Sequence, residues 1–115
     1  MRMSQSATEP TYPGNTFLYS LPNGWSFRLI FSDDGTRLRM EGLSGEHVGQ
    51  AMDFDITVAR VTRGVYFINW IKPNGDSVSH VHDYVNNTVH AFWSFGPDGK
   101  RAGQIATGTI EAIIT

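Results

Sequence analysis

The chain has 115 residues, of which 40% are hydrophobic and 17% charged, with a formal net charge of −2. This length suits one domain with a single core. The charge balance excludes the basic surface typical of nucleic-acid binders, and no apolar run reaches the length of a membrane span. The absence of cysteine excludes disulfides and thiolate metal sites. No secretory signal pattern is visible, so we expect a cytoplasmic protein.

Residues 1–13 are polar and non-periodic, which predicts a flexible tail ahead of one domain at 14–115. Turn dipeptides such as Asn23-Gly24 and Asn74-Gly75 then punctuate the chain at short intervals. The runs between them are rich in aromatic and β-branched residues, which favour strands. We predict eight strands joined by short turns and one longer connection (43–52), with the strands at about 15–21, 25–31, 36–42, 53–61, 65–72, 77–84, 88–95 and 102–114.

Eight short antiparallel strands in sequential hairpins are best stabilised by closing on themselves. Closure removes the exposed sheet edges, and a barrel of this size encloses room for one small ligand. We therefore predict an all-β, up-and-down antiparallel barrel. A cupin-like jelly roll is the alternative.

Three of the four histidines lie on the two strands predicted at 77–84 and 88–95. Histidine takes acid, base and metal-ligand roles near neutral pH. Because side chains alternate along a strand, His80 and His82 share one face. Two-residue turns at Asn74-Gly75 and Asn86-Asn87 would pair Asn69 with His80 and Asp83 with His90. That register places the following side chains beside the two histidines: Phe67, Asn69, Ile71, Val78, Ala91 and Trp93.

Three interpretations of the histidines stay open. His80-Val81-His82 is half of a metal site, but no third ligand is identifiable, so we expect no metal. In general acid–base chemistry, an apolar surrounding would disfavour the charged ring, and Asp83 would orient His90 as a dyad. The third interpretation is structural, with one cross-strand hydrogen bond per ring, and it is favoured for His47 and His90.

Two segments carry a resemblance to a known family. The first is Phe17-Leu-Tyr-Ser-Leu-Pro-Asn-Gly-Trp25, and the second runs from Thr62 through Gly64-Val-Tyr66 and Trp70-Ile-Lys-Pro-Asn-Gly75 to Val78. Their pattern resembles that of the phenolic acid decarboxylases and the related MoaF-like proteins. The resemblance covers residues 17 to about 100 and implies a small calycin (lipocalin-like) barrel.

The decarboxylase site implied by the resemblance is largely missing from this sequence. Of the two tyrosines that hold the substrate carboxylate, the first matches Tyr19 and the second matches Leu21. The catalytic arginine falls at or near Gln50, and the catalytic glutamate matches Lys72. The resemblance therefore supports the fold and argues against a para-hydroxycinnamate decarboxylase. The length is closer to that of the MoaF-like proteins.

The resemblance also implies that Val78 and Trp93 line the pocket, with Phe27 as an apolar wall. On the third strand, an inward Arg39 would anchor an anion, and a solvated face of Arg37, Arg39 and Glu41 is the alternative. The predicted ligand-binding residues are thus Phe27, Arg39, Phe67, Asn69, Val78 and Trp93.

We expect a barrel that binds a small aromatic or unsaturated organic molecule. As an enzyme it would be a cofactor-free lyase, isomerase or cyclase, with His80 or His82 as acid or base and Tyr19 as donor to an oxyanion. The alternatives are a carrier or sensor without catalysis, and a cupin-like metal enzyme. Exposed aromatic residues on the opposite face, such as Trp70 or Phe92, would favour a homodimer.

Overall fold

The computed structural model of the chain describes residues 9–97 and 100–113. Within these ranges, nine antiparallel strands form one sheet. A single-turn 3₁₀ helix, Gly45–His47, lies in the predicted long connection. The strands are β1 Thr16–Ser20, β2 Ser26–Phe31, β3 Arg37–Gly42, β4 Ala51–Asp55, β5 Thr57–Thr62, β6 Val65–Ile71, β7 Ser77–Asp83, β8 Thr88–Phe95 and β9 Ala102–Ile113.

The sheet closes into a nearly complete barrel. Its order is β4-β3-β2-β1-β9-β8-β7-β6-β5, so the first and last strands pair and every other pair is a sequential hairpin. This order confirms the predicted up-and-down barrel of calycin type and excludes the jelly roll, which needs Greek-key connections. The strand predicted at 53–61 is two strands, because the chain bends at Ile56 from one edge of the sheet to the other.

The seam between β4 and β5 lacks a backbone ladder and is held by side chains. Phe54 of β4 stacks on Trp70 of β6, with ring centroids 5.4 Å apart. Inside, alternate residues of each strand fill the barrel, as the strict burial alternation of β7 illustrates. His80 and His82 point into this interior and are 2% and 0% exposed. The predicted shared face of these two histidines is therefore confirmed.

The predicted register of the β6–β7 hairpin is wrong by one residue. Ile68 pairs with His80 and Trp70 pairs with Val78. The cause is the turn, because the Lys72 N–H donates to the Asp76 carbonyl oxygen across a three-residue loop in place of the assumed two-residue one. Three-residue hairpin loops commonly end in a left-handed residue, and Gly75 has φ 92°. An odd shift exchanges the two faces of β6.

The β7–β8 register differs from the prediction by two residues, which preserves the faces. Asp83 pairs with Thr88, and Val81 pairs with His90. The Asp83 carboxylate accepts hydrogen bonds from the backbone and side chain of Asn86. His90 instead contacts the Thr107 hydroxyl at 3.1 Å through Nδ1. The predicted Asp83–His90 dyad is therefore not formed.

One end of the barrel is closed by the segment before β1. Tyr12 is buried there and makes edge-to-face contacts with Phe31 and Tyr66, at centroid distances of 5.0 and 5.3 Å. Its hydroxyl donates to the Gly35 carbonyl oxygen at 3.0 Å. Residues 9–13 of the predicted tail thus pack on the barrel, whereas residues 1–8 lie outside the described ranges.

No helix in the described part of the chain is long and apolar enough to cross a membrane. On the outer face, several large apolar side chains are exposed, among them Phe67, Ile71, Phe92 and Ile105. Trp70, which was expected on that face, is buried because of the register shift. The homodimer stays a prediction.

Candidate functional site

A cavity of about 390 Å³ lies at the end of the barrel opposite Tyr12. The β1–β2, β3–β4 and β6–β7 connections surround it. Exposed lining residues such as Trp25 and Gln104 mark its mouth. The walls are mainly aromatic and apolar and include Phe27, Met40, Phe54, Trp70, Val78 and Trp93. Cavities of this size and character are typical of small-molecule sites.

The polar groups in this cavity are few, and the charged one among them is positive. Tyr19 and His80 lie at its base, while His47, Gln50 and Lys72 come from the surrounding connections. Lys72 is the single cationic side chain among the described lining residues, which include no carboxylate. The cavity therefore favours a molecule that is neutral or negatively charged.

Tyr19 presents a protonated phenol. It is 3% exposed, and burial raises its pKa to about 12. Its ring lies 5.1 Å from that of His80 and 6.1 Å from that of Phe27, centroid to centroid. At neutral pH the hydroxyl keeps its hydrogen and can donate it to an oxygen in the cavity.

His80 and His82 form the polar part of the barrel interior. Nδ1 of His80 lies 3.0 Å from Nε2 of His82, and Nδ1 of His82 lies 2.9 Å from the Tyr84 hydroxyl. Burial lowers the pKa of His80 to about 3. Burial, followed by repulsion from a charged His80, holds the pKa of His82 well below its usual value. Both rings are therefore neutral at neutral pH.

Two buried nitrogens of residues that line the cavity have no hydrogen-bond partner among the described residues. They are Nε1 of Trp70 and Nε2 of His47. The Trp70 ring is 2% exposed and meets His80 edge to face at 4.8 Å. An indole nitrogen can only donate, and a buried donor without a partner is costly. Such groups are usually satisfied by water or a ligand.

The His47 ring reaches the cavity because of an unusually close backbone contact. The 3₁₀ segment packs directly against Gly42, where a Cβ atom would overlap the His47 carbonyl oxygen. The imidazole then lies 4.9 Å from the Trp25 ring and 5.5 Å from the Phe27 ring. A side chain at position 42 would displace the segment that carries His47.

Five of the predicted site residues line this cavity: Tyr19, Phe27, Val78, His80 and Trp93. His82 is buried behind His80 and does not line it. The positions that the family resemblance singled out also converge here, since Leu21, Gln50 and Lys72 line the cavity beside Tyr19.

Three predicted site residues lie on the outer face instead. Phe67 is 46% exposed, because the one-residue shift of β6 turns it outward. The same shift turns out Asn69, whose amide donates to the Ser77 and Ser79 hydroxyls. Arg39 alternates with buried Leu38 and pairs with Asp53 at 3.0 Å. The inward positions predicted for Phe67 and Asn69 are wrong, and Arg39 follows the alternative of a solvated face in place of the inward anion anchor.

Sequence reasoning did not assign Trp70, His47 or Tyr84 to the site. The one-residue register error had placed Trp70 on the outer face. Tyr84 continues the two-residue period of His80 and His82, and that signal could have found it. The position of His47 depends on the path of a loop, for which no periodic signal exists.

The described residues contain no cluster of three or more histidine, aspartate or glutamate side chains able to hold a metal ion. His80 and His82 also bond to each other at 3.0 Å, which occupies one nitrogen of each ring. This geometry gives no support to a metal-dependent enzyme.

Comparison with known proteins agrees with this architecture. The MoaF-like family model matches residues 13–111. Phenolic acid decarboxylase PadC of Bacillus subtilis (strain 168) is 29% identical over 69 residues, which are 57% of this chain and 41% of that protein. The chain thus spans less than half of that relative.

A crystal structure from Burkholderia vietnamiensis, provisionally described as a beta-lactamase, superimposes with a TM-score of 0.79 at 20% identity. The match covers 93% of this chain and 100% of the other, and it supports the fold alone. Since the family model spans most of the sequence, the chain belongs to the MoaF-like family.

Proposed function

We propose that this barrel binds a small, planar, aromatic or unsaturated organic anion in the cavity beside His80. The observation that carries the proposal is the indole N–H of Trp70, which has no partner among the described residues and belongs to a mainly aromatic and apolar pocket. A buried donor of this kind gains most from a ligand oxygen, above all a charged one.

The other polar groups support the same chemistry. Tyr19 holds its phenolic hydrogen, and Lys72 supplies a positive charge at the rim. Aromatic walls such as Phe27 and Trp93 suit a flat ligand. The ligand would place its oxygen near Trp70 and its planar body between the aromatic walls.

Catalysis by these groups would be electrophilic and free of a cofactor. Donors aimed at an oxygen stabilise negative charge that develops on it, as in lyase or isomerase reactions through an enolate-like intermediate. Tyr19 and His80 would supply those donors. The decarboxylase name of the Bacillus subtilis relative fits a lyase, but the substitutions at Leu21, Gln50 and Lys72 point to a different substrate.

A non-catalytic carrier or sensor is the second candidate, and the His80 pKa of about 3 favours it. A neutral ring that resists protonation so strongly is a weak base. His80 would then recognise the ligand without taking a proton from it.

The binding proposal is tested with trans-cinnamate and its matched cation, cinnamylammonium. All three tryptophans, Trp25, Trp70 and Trp93, line the cavity, so quenching of intrinsic fluorescence reports entry directly. We expect cinnamate to quench saturably and cinnamylammonium to bind at least tenfold more weakly, about 1.4 kcal/mol. Equal binding of the two probes, or none, would overturn the proposal.

A matched pair of charge variants locates the binding site. Lys72→Gln removes the rim cation, and Arg39→Gln removes a cation on the outer face. We expect the first to weaken cinnamate binding about two- to fivefold, in line with a partly exposed ion pair. The second should leave it unchanged. Equal losses would indicate a general electrostatic effect in place of a site.

Turnover separates the two candidate functions. With a panel of unsaturated acids, product formation that disappears in His80→Ala would support the lyase or isomerase. Binding without product, only weakened by His80→Ala, would support the carrier.

A further inference from the structure

A chain of hydrogen bonds runs along the inner face of β7 from the cavity toward the closed end. It joins His80, His82 and Tyr84, at 3.0 Å between the two rings and 2.9 Å from the second ring to the hydroxyl. His80 lines the cavity, whereas the Tyr84 ring stacks on Phe17 with centroids 4.7 Å apart. The chain thus links a cavity group to one remote from it.

The direction of this chain decides what His80 offers to a ligand. Both rings are neutral at neutral pH, so each carries one N–H and one lone pair. If Tyr84 donates to His82 Nδ1, then His82 Nε2 donates to His80, which keeps its hydrogen on Nε2. If the direction is reversed, both rings carry hydrogen on Nδ1 and His80 Nε2 becomes a lone pair.

The surroundings of Tyr84 distinguish the two directions. In the reversed chain, the Tyr84 hydroxyl accepts from His82 and its own hydrogen needs another acceptor. Within the described ranges, His82 is the one hydrogen-bond partner of that hydroxyl. Its ring neighbours are Phe17, Tyr66 and the His82 ring. Tyr84 is half-buried, and the reversed chain would leave its hydroxyl hydrogen without an acceptor among the described residues, whereas a hydroxyl that only donates leaves lone pairs unused, which is tolerated better.

We propose that Tyr84 sets the tautomer of both histidines, so that His80 presents an Nε2–H donor to the cavity. Tyr84 is then a positioning residue that acts through His82. The tautomer stands independently of any ligand, and its consequence for recognition rests on the proposed function. With the N–H of Trp70 and the hydroxyl of Tyr19, His80 would complete a set of donors that selects ligands by their oxygen atoms.

The tautomers are measured directly on the unliganded protein by long-range ¹H–¹⁵N correlation spectra of ¹⁵N-labelled histidine. We expect His80 and His82 both to carry hydrogen on Nε2 at neutral pH. The wild-type spectrum is decisive by itself, because hydrogen on Nδ1 of either ring would overturn the proposal.

Two phenylalanine variants assign the effect to Tyr84. Tyr84→Phe removes the donor and should give mixed or averaged tautomer signals for both rings. Tyr66→Phe removes a neighbouring hydroxyl that bonds Glu9 and not the histidines, so it should leave the signals unchanged. Unchanged tautomers in Tyr84→Phe would show that this residue does not set them.

Binding of trans-cinnamate provides the second measurement. Tyr84→Phe should weaken it about two- to fivefold, in proportion to the lost population of the donor tautomer. Tyr66→Phe should not weaken it. Predicted tautomers with no cinnamate binding by the wild type would refute the proposed function and leave the role of Tyr84 intact. Cinnamate binding by a wild type that carries hydrogen on Nδ1 would support the proposed function and refute the role of Tyr84.

Discussion

The two ends of the barrel differ in whether their polar groups have hydrogen-bond partners. At the closed end, polar groups are paired: Tyr12 donates to Gly35, and Tyr66 donates to Glu9, which also pairs with Arg60. At the cavity end, Trp70 and His47 each leave a nitrogen without a partner among the described residues. The strands are shared between the two ends, so the sheet itself does not cause this difference.

The contrast concerns the groups that face open space at each end. A second pocket of about 590 Å³ lies at the closed end and is lined by polar residues such as Glu9, Asn15 and Asn87, whereas mainly aromatic and apolar side chains surround the cavity of about 390 Å³ at the other end. A closed end with satisfied groups contributes stability. An open end with unpaired polar groups is less stable alone and gains from a ligand.

The largest expected effect distinguishes the ends by stability. Tyr12→Ala removes a buried ring and its hydrogen bond, and should lower the free energy of unfolding by about 3–5 kcal/mol. Trp25→Ala, at the 41% exposed mouth of the cavity, should cost about 1 kcal/mol or less. Urea denaturation followed by circular dichroism measures both. Similar losses would contradict the contrast.

The pH dependence of stability distinguishes the buried histidines from Glu9 at the closed end, because the two affect stability in different pH ranges. The unfolded chain binds protons below pH 6.5, whereas folded His80, with a pKa of about 3, does not. Above pH 6.5, these histidines are neutral in both the folded and the unfolded chain, so the folded state loses no stability through them. As the pH falls from 6.5 toward 3, stability should decrease by up to about 1.4 kcal/mol per pH unit for each buried histidine.

A variant and a second pH window check this assignment. His80→Gln should reduce the slope of stability against pH between pH 6.5 and about 5 by the contribution of one proton. Hydrogen bonds from Arg60, the larger cause, and from Tyr66 lower the pKa of Glu9 to about 2. The contribution of Glu9 to stability is therefore lost only as the pH falls from 4.5 toward 2. A stability profile that is flat between pH 7 and 5 would contradict the assignment.

The smallest expected effect compares an unpaired donor with a paired one. Trp70→Phe should weaken cinnamate binding about tenfold, because one hydrogen bond to a charged oxygen is lost. Tyr66→Phe should instead lower stability by about 1 kcal/mol and leave binding unchanged. Calorimetry measures affinity, since Trp70→Phe alters the fluorescence signal. Binding losses of the same size in both variants would remove the distinction between the two ends.

Much of the fold could be predicted because it depends on local signals. Gly24 and Gly75 have φ of 93° and 92°, as their Asn-Gly turns require, and they mark the strand ends closely. Strand alternation placed His80 and His82 on one face whatever the pairing. The family resemblance identified Tyr19 as a site residue, and Tyr19 lines the same cavity as His80.

The rest depended on distances that local patterns do not encode. The same Asn74-Gly75 pair fits a two-residue or a three-residue loop, and that single residue decides whether Asn69 or Trp70 points inward. The missing partners of Trp70 and His47 result from packing between segments far apart in sequence. They become visible only when the barrel is assembled.

The seam at Ile56 is the place where widening of the barrel would break no strand ladder. β4 and β5 are the two edges of the sheet, so separating them breaks no ladder between the two strands. The spacing across the seam is instead set by the stack of Phe54 on Trp70, and both rings line the cavity. A ligand that slides these rings apart would enlarge its own site while the remaining strand pairs stay intact.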